Sequence, residues 1–537
     1  MGIDMAQVGL PELSVFTWIL AALPIVLVLT LMMGFKMSGA RAGGIAWVVT
    51  LVISYFAFGS GIDVLAAGSV KGLWTTVFVL FIIWASMYMY NIVDMTGSFK
   101  VIAATFTKLT NGNKMLQLLI LGWAFPTFIQ GVCGFGVPVA VATPLLIGLG
   151  FSPLTAVVTT LLGHSWGITF GSLGSSYSIN LQLSGVEAAP MAFWGSIFIA
   201  FGGVITGFFV AHNYGGFKAI KEGFLAIVFM SVVMGGALIA TCFVSPNLGC
   251  FIAGGVGLIA GSFVLPKFRS YRPAADAPPI EEDPEVAGKS FVDAFSAYII
   301  LILVVFAIYL IGPVKTFLEK DMFQIGLPFA ETITQFGYAQ EAAAKYSALK
   351  ILTTPGTLIV LSLILAAAYY KSKGLLPQNV FKTAWEKTVT QSLSSTATIM
   401  TMTMMAVLMT VSGLTTYIAY GIAVTTGTLF PLLSPFIGIL GGFVTSSGTS
   451  SNILFTGLQY EVATVLGISA TIILSAQTTG ASLSNSFSPG IAALGAGVSG
   501  LAGREGEILK STLVYNILQG AAVGILAFVL IALGMGM

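Results

Sequence analysis

Long apolar segments separated by short polar ones dominate the pattern of this chain. Each segment holds about 20 residues, the length that an α-helix needs to cross the ~30 Å hydrocarbon core of a bilayer. We predict membrane spans near 14–34, 44–62, 73–93, 153–171, 190–210, 224–243, 250–265, 292–312, 351–370, 388–412, 462–480 and 511–534. The pattern therefore predicts an all-α polytopic membrane protein with about twelve transmembrane helices.

Two further apolar segments, near 116–150 and 435–460, are interrupted in the middle by small and polar residues. Basic loop residues indicate how these segments run, because loops rich in Lys and Arg stay on the cytoplasmic side. The basic residues form four clusters, which are Lys100, Lys108 and Lys114; Lys218 and Lys221; Lys267, Arg269 and Arg272; and Lys371, Lys373, Lys382 and Lys387. All four lie on one side only if both interrupted segments enter the membrane and return without crossing it. We therefore predict two re-entrant hairpins.

A stretch rich in proline and acidic residues, 266–290, predicts a cytoplasmic linker between two transmembrane repeats, 1–265 and 291–537. The repeats share landmarks at a nearly constant spacing, which are Gly97 with Gly413, Phe128 with Phe443, and 149–152 with 466–469. Because the first repeat is predicted to begin outside and the second inside, the repeat is inverted, which is typical of alternating-access transporters. A polar insert near 313–350 is predicted to be periplasmic, with room for an amphipathic helix.

Composition and charge narrow the class of protein further. Of the 537 residues, 56% are apolar and only 8% are charged, whereas a soluble domain has about 25% charged residues. The net charge is +2 and no basic stripe indicates nucleic-acid binding. No Lys or Arg precedes the first span, and Lys36 and Arg41 follow it, which predicts an N-terminus outside. The sequence thus indicates a multi-pass protein in the lipid bilayer of a bacterial inner membrane.

The two predicted hairpins are interrupted by different residue types. In the first, Gly134, Phe135 and Gly136 free the backbone to turn at membrane depth, although a kinked, tightly packed helix is the alternative. In the second, residues 445–452 consist of hydroxyl-bearing residues, one glycine and one amide. Such groups are unfavourable against lipid. They line a cavity, where N–H groups and a helix dipole favour an anion and oxygens favour Na⁺, or they bond back onto their own helices.

Two polar patches follow the hairpins, at places where predicted spans unwind. Unwound spans that face hairpin tips form substrate sites near the membrane midplane. We therefore predict that substrate is bound by Gly134, Phe135, Gly136, His164, Ser165, Ser172, Ser447, Gly448, Thr449, Ser450, Ser451, Asn452, Gln477, Thr478 and Asn485. His164 either carries a coupling proton, because histidine titrates near physiological pH, or is a neutral residue that joins two helices. If sodium is the coupling ion instead, it is predicted at Ser450, Ser451 and Asn452.

The interrupted regions resemble those of the L-lactate permease family. Segments 134–140 and 144–151 are similar to the family's GFGAPVA and PLLxGLGF, 170–174 to FGALG, 449–459 to TSSNxLFxxLQ, 488–489 to part of ISPQ, and 500–505 to GLVGKE. The resemblance covers most of the chain. It implies proton-coupled transport of lactate, glycolate and related 2-hydroxy monocarboxylates, and a fold with paired re-entrant hairpins.

Three positions depart from the family pattern. Gly448 stands where the family has Asp, Asn485 where it has Lys, and His164 where it has Asn. Losing an acid and a base together is electrostatically consistent with a former pair, because one remaining charge would be unfavourable inside the membrane. The loss also removes an obvious proton carrier and an obvious cation for a carboxylate. Another organic anion, or Na⁺ coupling, therefore stays open.

The leading interpretation is a cation-coupled symporter of L-lactate or a related small 2-hydroxy monocarboxylate, without a cofactor. The alternatives are a Na⁺-coupled transporter of another small organic anion and an anion channel, because broken helices also build selectivity filters. An enzyme is disfavoured, since the hydroxyl-rich tip lacks a G-x-S-x-G elbow. An ATP-driven pump is disfavoured too, since Asp283 stands where a P-loop needs its first glycine. The oligomeric state stays open.

Overall fold

The fold is that of a polytopic α-helical membrane protein, as the sequence predicts. The computed structural model describes residues 5–110, 112–134, 136–271 and 289–536. Within these ranges, 11 helical segments are long and apolar enough to cross a membrane. This confirms the predicted fold class, while the number of about twelve spans and the re-entrant course of the hairpins stay predictions. Phe135 and most of the predicted linker lie outside the described residues.

The helices of the first half, up to the linker, are numbered α1 to α11. They are α1 (Val15–Met33), α2 (Gly39–Ala57), α3 (Ile62–Met95), α4 (Ser98–Leu109), α5 (Lys114–Leu119), α6 (Phe125–Val132), α7 (Val137–Gly148), α8 (Pro153–Ser165), α9 (Ser175–Ser184), α10 (Ala188–Cys242) and α11 (Gly249–Val264). A π-helical turn, Ile120–Ala124, joins α5 to α6. Short 3₁₀ turns lie at Met5–Val8, Ile168–Phe170, Ser172–Gly174, Pro246–Leu248, Leu265–Lys267 and Arg269–Tyr271.

The second half contains α12 to α21. They are α12 (Phe291–Leu310), α13 (Gly312–Leu318), α14 (Pro355–Ser372), α15 (Val380–Val411), α16 (Leu414–Thr426), α17 (Phe430–Thr445), α18 (Gly448–Leu466), α19 (Ala470–Leu483), α20 (Pro489–Ser499) and α21 (Glu505–Ala532). Short 3₁₀ turns lie at Asp321–Phe323, Gly427–Leu429 and Ser484–Ser486.

Helix α10 is two spans rather than one. A straight helix of its 55 residues would be ~80 Å long, far more than a bilayer is thick. The helical geometry breaks at Gly215 and Gly216, and Gly216 has a φ of 61°, a conformation that glycine adopts without a steric penalty. The break separates the two spans that the sequence predicts near 190–210 and 224–243.

The polar insert between α12 and α14 contains strands in addition to the short helix α13. Strand β1 (Gln324–Phe329) pairs antiparallel with β4 (Ala343–Lys350), and β2 (Thr332–Ile333) pairs with β3 (Ala339–Gln340). The sequence alone leaves room for an amphipathic helix here and predicts no strand. In β1, Ile325, Leu327 and Phe329 alternate with other residues, and this alternation is the signal for a strand.

The predicted landmarks of the repeat occupy matching places in the two halves. Gly97 and Gly413 both follow a helix of more than 30 residues, α3 and α15, and both begin a short helix from a left-handed conformation, with φ of 77° and 83°. Gly150 and Gly467 are also left-handed, with φ of 86° and 63°. Each half contains the same two features in the same order, first a helical hairpin and then a helix that breaks. The division into 1–265, 266–290 and 291–537, and its inverted relation, stay predictions.

Each hairpin packs against the broken helix of its own half through glycine. A Cβ atom on Gly163 of α8 would clash with the carbonyl oxygen of Gly122, and one on Gly480 of α19 would clash with that of Pro435. Small residues of this kind let membrane helices approach closely. The arm Lys114–Val132 is buried along its length, so its π-turn and its end face protein rather than lipid. These contacts fix both hairpin tips beside the breaks in α8 and α19.

Candidate functional site

A cavity of about 450 Å³ lies between the two hairpin tips and the breaks that follow α8 and α19. We call it the central cavity. Its described lining includes many of the predicted site residues, namely Gly134, Gly136, His164, Ser172, Ser447, Gly448, Thr449, Ser450 and Asn485. Residues that lie far apart in the sequence, in both predicted repeats, are thus brought together around one space.

The other predicted site residues lie outside this lining. Phe135 is outside the described residues, and Ser165, Ser451, Asn452, Gln477 and Thr478 are buried beside the cavity. The Ser165 hydroxyl donates to Leu162 O at 3.0 Å. The Ser451 hydroxyl donates to Gly438 O at 2.8 Å and so ties the two helices of the second hairpin together. This second contact is a bond back onto the hairpin, which was the alternative open for the hydroxyls of this segment.

Asn452 joins the two halves of the protein behind the second tip. Its Nδ2 atom donates to the carbonyl oxygen and the hydroxyl of Ser176, both at 3.0 Å, and to Thr478 Oγ1 at 2.9 Å. Its Oδ1 atom accepts from Gln477 Nε2 at 3.0 Å. We call Ser176, Asn452, Gln477 and Thr478 the Asn452 layer. Because all four are buried and bonded to one another, the layer fixes α9 against α18 and α19.

Four helices point their N-termini toward the central cavity. The N-cap residues Gly136 of α7 and Ser447 of α18 line it directly. Ser175 lines it at the first residue of α9, and Gly490 lines it at the second residue of α20. The first N–H groups of a helix have no partner within that helix, and its N-terminus carries a partial positive charge. The last turns of α8 and α17 line the same cavity, at His164 and Thr445, so its backbone presents carbonyl oxygens as well as N–H groups.

The first tip is formed by backbone rather than by polar side chains. Gly136 has a φ of 79°, and a Cβ atom on Gly134 would lie 2.6 Å from the Ser172 hydroxyl. Ser172 and Leu173 are themselves left-handed, with φ of 46° and 51°. Two consecutive non-glycine residues in this conformation are strained. The break after α8 is therefore held in place by its packing against the tip.

The second tip uses hydroxyls to cap its own helix. Ser447 Oγ accepts from Ser450 N at 3.2 Å, which caps α18. The Thr445 hydroxyl donates to Ser447 O at 3.0 Å, and Ser446 Oγ accepts from Gly490 N, also at 3.0 Å. The last bond connects the tip to the N-terminus of α20. Thr449 and Ser450 complete the lining of the cavity at this tip.

His164 lies in the cavity wall at the end of α8 and is 2% exposed. Its Nδ1 atom is 3.1 Å from Thr160 O. A carbonyl oxygen only accepts, so Nδ1 carries the hydrogen, and Nε2 of the neutral ring is an acceptor. Among the described lining residues of the central cavity, His164 is the only one whose side chain titrates, since Asp, Glu, Lys, Arg, Cys and Tyr do not occur there.

Two of the positions that depart from the family pattern are neighbours in space. A Cβ atom on Gly448 would lie 3.6 Å from Ala481 O. Asn485 Nδ2 donates to the same oxygen at 3.1 Å. Longer charged side chains at 448 and 485 would therefore be within reach of each other, as the simultaneous loss of an acid and a base suggests.

Sequence reasoning missed polar residues of the cavity wall. Gln130 lines the cavity from the first hairpin, and α15 contributes several residues, which are Gln391, Ser394, Ser395 and Thr398. Gln391 Oε1 accepts from Asn91 Nδ2 at 2.9 Å. A run of polar residues at 391–398, at the start of an otherwise apolar span, was the signal that could have identified the α15 wall.

Comparison with known proteins agrees with the resemblance. The sequence model of the L-lactate permease family matches residues 17–534. The glycolate permease GlcA of Escherichia coli (strain K12) is 26% identical, over 98% of this chain and 96% of that protein. The L-lactate permease of the same strain is 27% identical over 95% and 94%. That of Bacillus subtilis (strain 168) is 27% identical over 92% of each chain.

Two solved structures are also similar. The YdaH transporter of Alcanivorax borkumensis matches with a TM-score of 0.46 at 13% identity, over 87% of this chain and 88% of that one. MtrF of Neisseria gonorrhoeae, described as illuminating a class of antimetabolite efflux pumps, matches with a TM-score of 0.49 at 13% identity, over 92% and 95%.

The family match confirms the resemblance that the motifs indicate. It extends from within α1 to the end of α21, so it includes both hairpins, both broken helices and the cavity between them. A permease moves its substrate across a membrane and does not convert it. The protein is therefore a multi-pass membrane transporter and not an enzyme, and the chain belongs to the L-lactate permease family.

Proposed function

We propose that the protein is a cation-coupled secondary transporter of L-lactate, or of a related small 2-hydroxy monocarboxylate, in a bacterial inner membrane. One observation carries this proposal: four helix N-termini face a cavity of about 450 Å³ whose described lining has no acidic or basic side chain apart from His164. N–H groups at helix N-termini are donors that can bind an anion. The names of the relatives, L-lactate permease and glycolate permease, indicate the class of anion.

The neutral wall suits transport better than tight retention. A carboxylate held by N–H groups and hydroxyls forms no permanent ion pair with a Lys or Arg that would have to break at release. Hydroxyls of Ser172, Thr449 and Ser450, and the amides of Gln130 and Asn485, supply donors and acceptors for a 2-hydroxyl group. We therefore propose that the substrate is bound by those predicted site residues that line the central cavity. Ser451 and the Asn452 layer are proposed to hold those residues in place.

The coupling ion is proposed to be a proton on His164. The Nε2 atom of the neutral ring is an acceptor beside the cavity, and protonation there would add a positive charge next to the bound anion. Proton and anion would then bind cooperatively, as symport requires. Sodium remains the second candidate, with the oxygens of Ser450, Ser451 and Asn452 as ligands. The oxygens of Ser451 and Asn452 keep free lone pairs in the hydrogen bonds described above, but neither residue lines the central cavity.

The protein is proposed to work by alternating access. Both hairpins are proposed to be re-entrant, and the N-terminus is proposed to lie outside the cell. Ser38 and Gly39 line the central cavity close to Lys36 and Arg41, on the side that the basic loops predict to be cytoplasmic. The Asn452 layer closes the opposite side. This arrangement corresponds to an inward-facing state, in which the bound anion has access to the cytoplasm.

A different cargo is the second candidate, and it is favoured by the adjacency of Gly448 and Asn485. Both positions lack the charges of the family pattern, and Asn485 bonds Ala481 O, which a side chain at position 448 would approach. A site without that acid and base fits another small organic anion, or Na⁺ coupling. An anion channel would require conductance far above the turnover of a carrier.

The test is uptake of radiolabelled L-lactate into proteoliposomes that contain the purified protein. We expect accumulation under an inward proton gradient and none above a passive level under an inward Na⁺ gradient. Accumulation driven only by Na⁺ would contradict proton coupling. No lactate accumulation under either gradient would contradict the cargo and would lead to competition with a series of small organic anions.

His164→Asn tests the proton site with the residue that the family pattern has there. We expect this variant to exchange labelled for unlabelled lactate at the wild-type rate but to lose accumulation under a proton gradient. His212→Asn is the matched control, because His212 bonds Tyr515 at 2.8 Å, away from the described cavity wall. An unchanged response of His164→Asn to the proton gradient would assign His164 a purely structural role.

A further inference from the structure

A buried lysine lies outside the central cavity. Lys71 of α3 is 4% exposed. Its Nζ atom lies over two aromatic rings of the periplasmic insert, 5.2 Å from the ring centroid of Phe329 and 5.3 Å from that of Tyr346. A cation–π contact is worth ~0.5–2 kcal/mol and leaves the charge uncompensated by an anion. Lysine is almost never this deeply buried unless it is paired.

Lys71 lines a second cavity, of about 80 Å³, which we call the outer cavity. Neither Asp nor Glu occurs in its described lining. Gln182 lines it as well, and its Oε1 atom is buried and has no hydrogen-bond partner among the described residues. The hydroxyls of Thr410 and Thr415 are nearby in the same wall. Among the described residues, the ammonium group of Lys71 has no anion beside it, and Gln182 Oε1 has no hydrogen-bond donor. Both groups beside the outer cavity are therefore unsatisfied.

The two cavities lie one after the other along the same helices. In α18, Ser447 to Ser450 line the central cavity, whereas Ile453 to Leu458 contribute to the outer one. In α9, Ser175 lines the central cavity and Gln182 the outer one. The Asn452 layer lies between them on both helices. A solute that leaves the outer cavity inward would therefore reach the central cavity once this layer opens.

The periplasmic insert covers the outer cavity and is attached to both halves. Trp74 Nε1, one turn from Lys71, donates to Tyr346 O at 3.0 Å. The Tyr338 hydroxyl is 3.0 Å from Thr416 Oγ1 of α16. Tyr346 therefore contacts Lys71 through its ring and α3 through its backbone. Movement of strand β4 would uncover the ammonium group.

We propose that Lys71 and Gln182 form an outer binding site for a 2-hydroxy monocarboxylate. Lys71 binds the carboxylate as it arrives from the periplasmic face, and Gln182 Oε1 accepts the hydrogen bond of the 2-hydroxyl group. The inference rests on the proposed transport function and adds to it a second site, one that uses a formal charge where the central cavity uses dipoles. Substrate captured here passes to the central cavity when the Asn452 layer opens.

The test measures lactate affinity at each face separately. Uptake by intact cells reports the outer face, and uptake by inside-out vesicles from the same cells reports the inner face. For Lys71→Met we expect the half-saturating lactate concentration to rise about tenfold in cells, the size of one lost charge-assisted hydrogen bond, and to stay unchanged in vesicles. Lys71→Arg should keep most of the affinity. Lys320→Met is the matched control, because Lys320 is an exposed lysine over the ring of Phe317.

Unchanged half-saturation for Lys71→Met in cells, or an equal rise at both faces, would overturn the proposal. A second measurement does not depend on transport or on folding of the lysine variant. The fluorescence of Trp74, isolated as the difference between wild type and Trp74→Phe, should change saturably with lactate and glycolate, and less with propionate, which lacks the hydroxyl. No change with any of the three anions would overturn the outer site. A Trp74 signal without lactate uptake would reject lactate transport and keep the site.

Discussion

The two hairpin tips have similar backbones but different chemistry. Each tip ends one helix and begins another at the cavity, with a left-handed residue at the turn, Gly136 in the first and Ser446 in the second. The first tip offers little beyond its backbone, whereas the second carries hydroxyls and is followed by the Asn452 layer. Two helix breaks with similar backbones can thus form one proposed anion site in which most of the polar side chains come from the second tip.

This difference predicts which kind of substitution should impair each tip. The first tip depends on conformation, so changes that alter its φ angles or add a side chain should matter. The second depends on hydrogen bonds, so changes that remove one donor or acceptor should matter. Variants at the two tips and in the Asn452 layer should therefore differ in how strongly they impair lactate transport.

Removing the side chain of Asn452 should have the largest effect. Asn452→Ala leaves Gln477 Nε2 and two acceptors of Ser176 without their partner in a buried layer, and each lost buried hydrogen bond costs ~1–3 kcal/mol. We expect lactate uptake in proteoliposomes to fall at least about 100-fold. Gln519→Ala is the matched control, because the Gln519 amide also joins the two halves, through Thr206 at 2.9 Å, away from the cavity wall. Equal uptake by both variants would show that the Asn452 layer has no specific role in transport.

Restoring a charge at the second tip should have the next largest effect. Gly448→Asp places a carboxylate in a wall whose described lining has no Lys or Arg, and we expect uptake to fall about thirtyfold. The double variant Gly448→Asp/Asn485→Lys should recover much of that loss, since side chains at both positions would lie near Ala481 O and within reach of each other. Gly448→Asn separates the effect of size from that of charge. A double variant no better than the sum of the single changes would show that the two positions are not coupled.

The sequence predicted much of this architecture because its signals are local and strong. Apolar runs of about 20 residues indicated a multi-pass helical protein, and glycine or hydroxyl clusters indicated both breaks. It did not locate the polar wall of α15, because Ser394 and Ser395 lie in a regular helix and only packing brings them to the cavity. It also could not separate Ser450, which lines the cavity, from Ser451, which bonds Gly438. That distinction depends on which face of a helix meets its neighbour.

Lys71 illustrates the same limit. In the sequence it is one lysine between apolar runs, and only the paired strands β1 and β4 bring the rings of Phe329 and Tyr346 to it. Pairing between segments far apart in sequence is not encoded in any one of them. The strands themselves are hard to predict because Gly326 and Pro328, residues that are depleted in strands, interrupt β1.

A methyl group at the first tip should have a smaller effect than either change above. Gly136→Ala puts a side chain on a residue with φ of 79°, which costs ~1–2 kcal/mol, and against Leu494 of α20. We expect uptake to fall about tenfold and thermal unfolding to begin at a lower temperature. Gly148→Ala, at the other end of α7, meets nothing within 4 Å and should behave like wild type. Wild-type behaviour of Gly136→Ala would mean that the first tip tolerates another conformation.

Removing one cap at the second tip should have the smallest effect. Ser447→Ala removes the oxygen that accepts from Ser450 N, which costs ~1 kcal/mol of helix stability, but it leaves the N–H groups of α18 in place to face the cavity. We therefore expect the half-saturating lactate concentration to rise only about threefold to fivefold, with little change in maximal rate. Ser469→Ala is the matched control, since Ser469 caps α19 in the same way at 3.3 Å. If both cap variants raised half-saturation equally, the effect would come from helix stability. A rise confined to Ser447→Ala would mean that the order of the tip itself sets affinity, as expected if backbone N–H groups bind the anion.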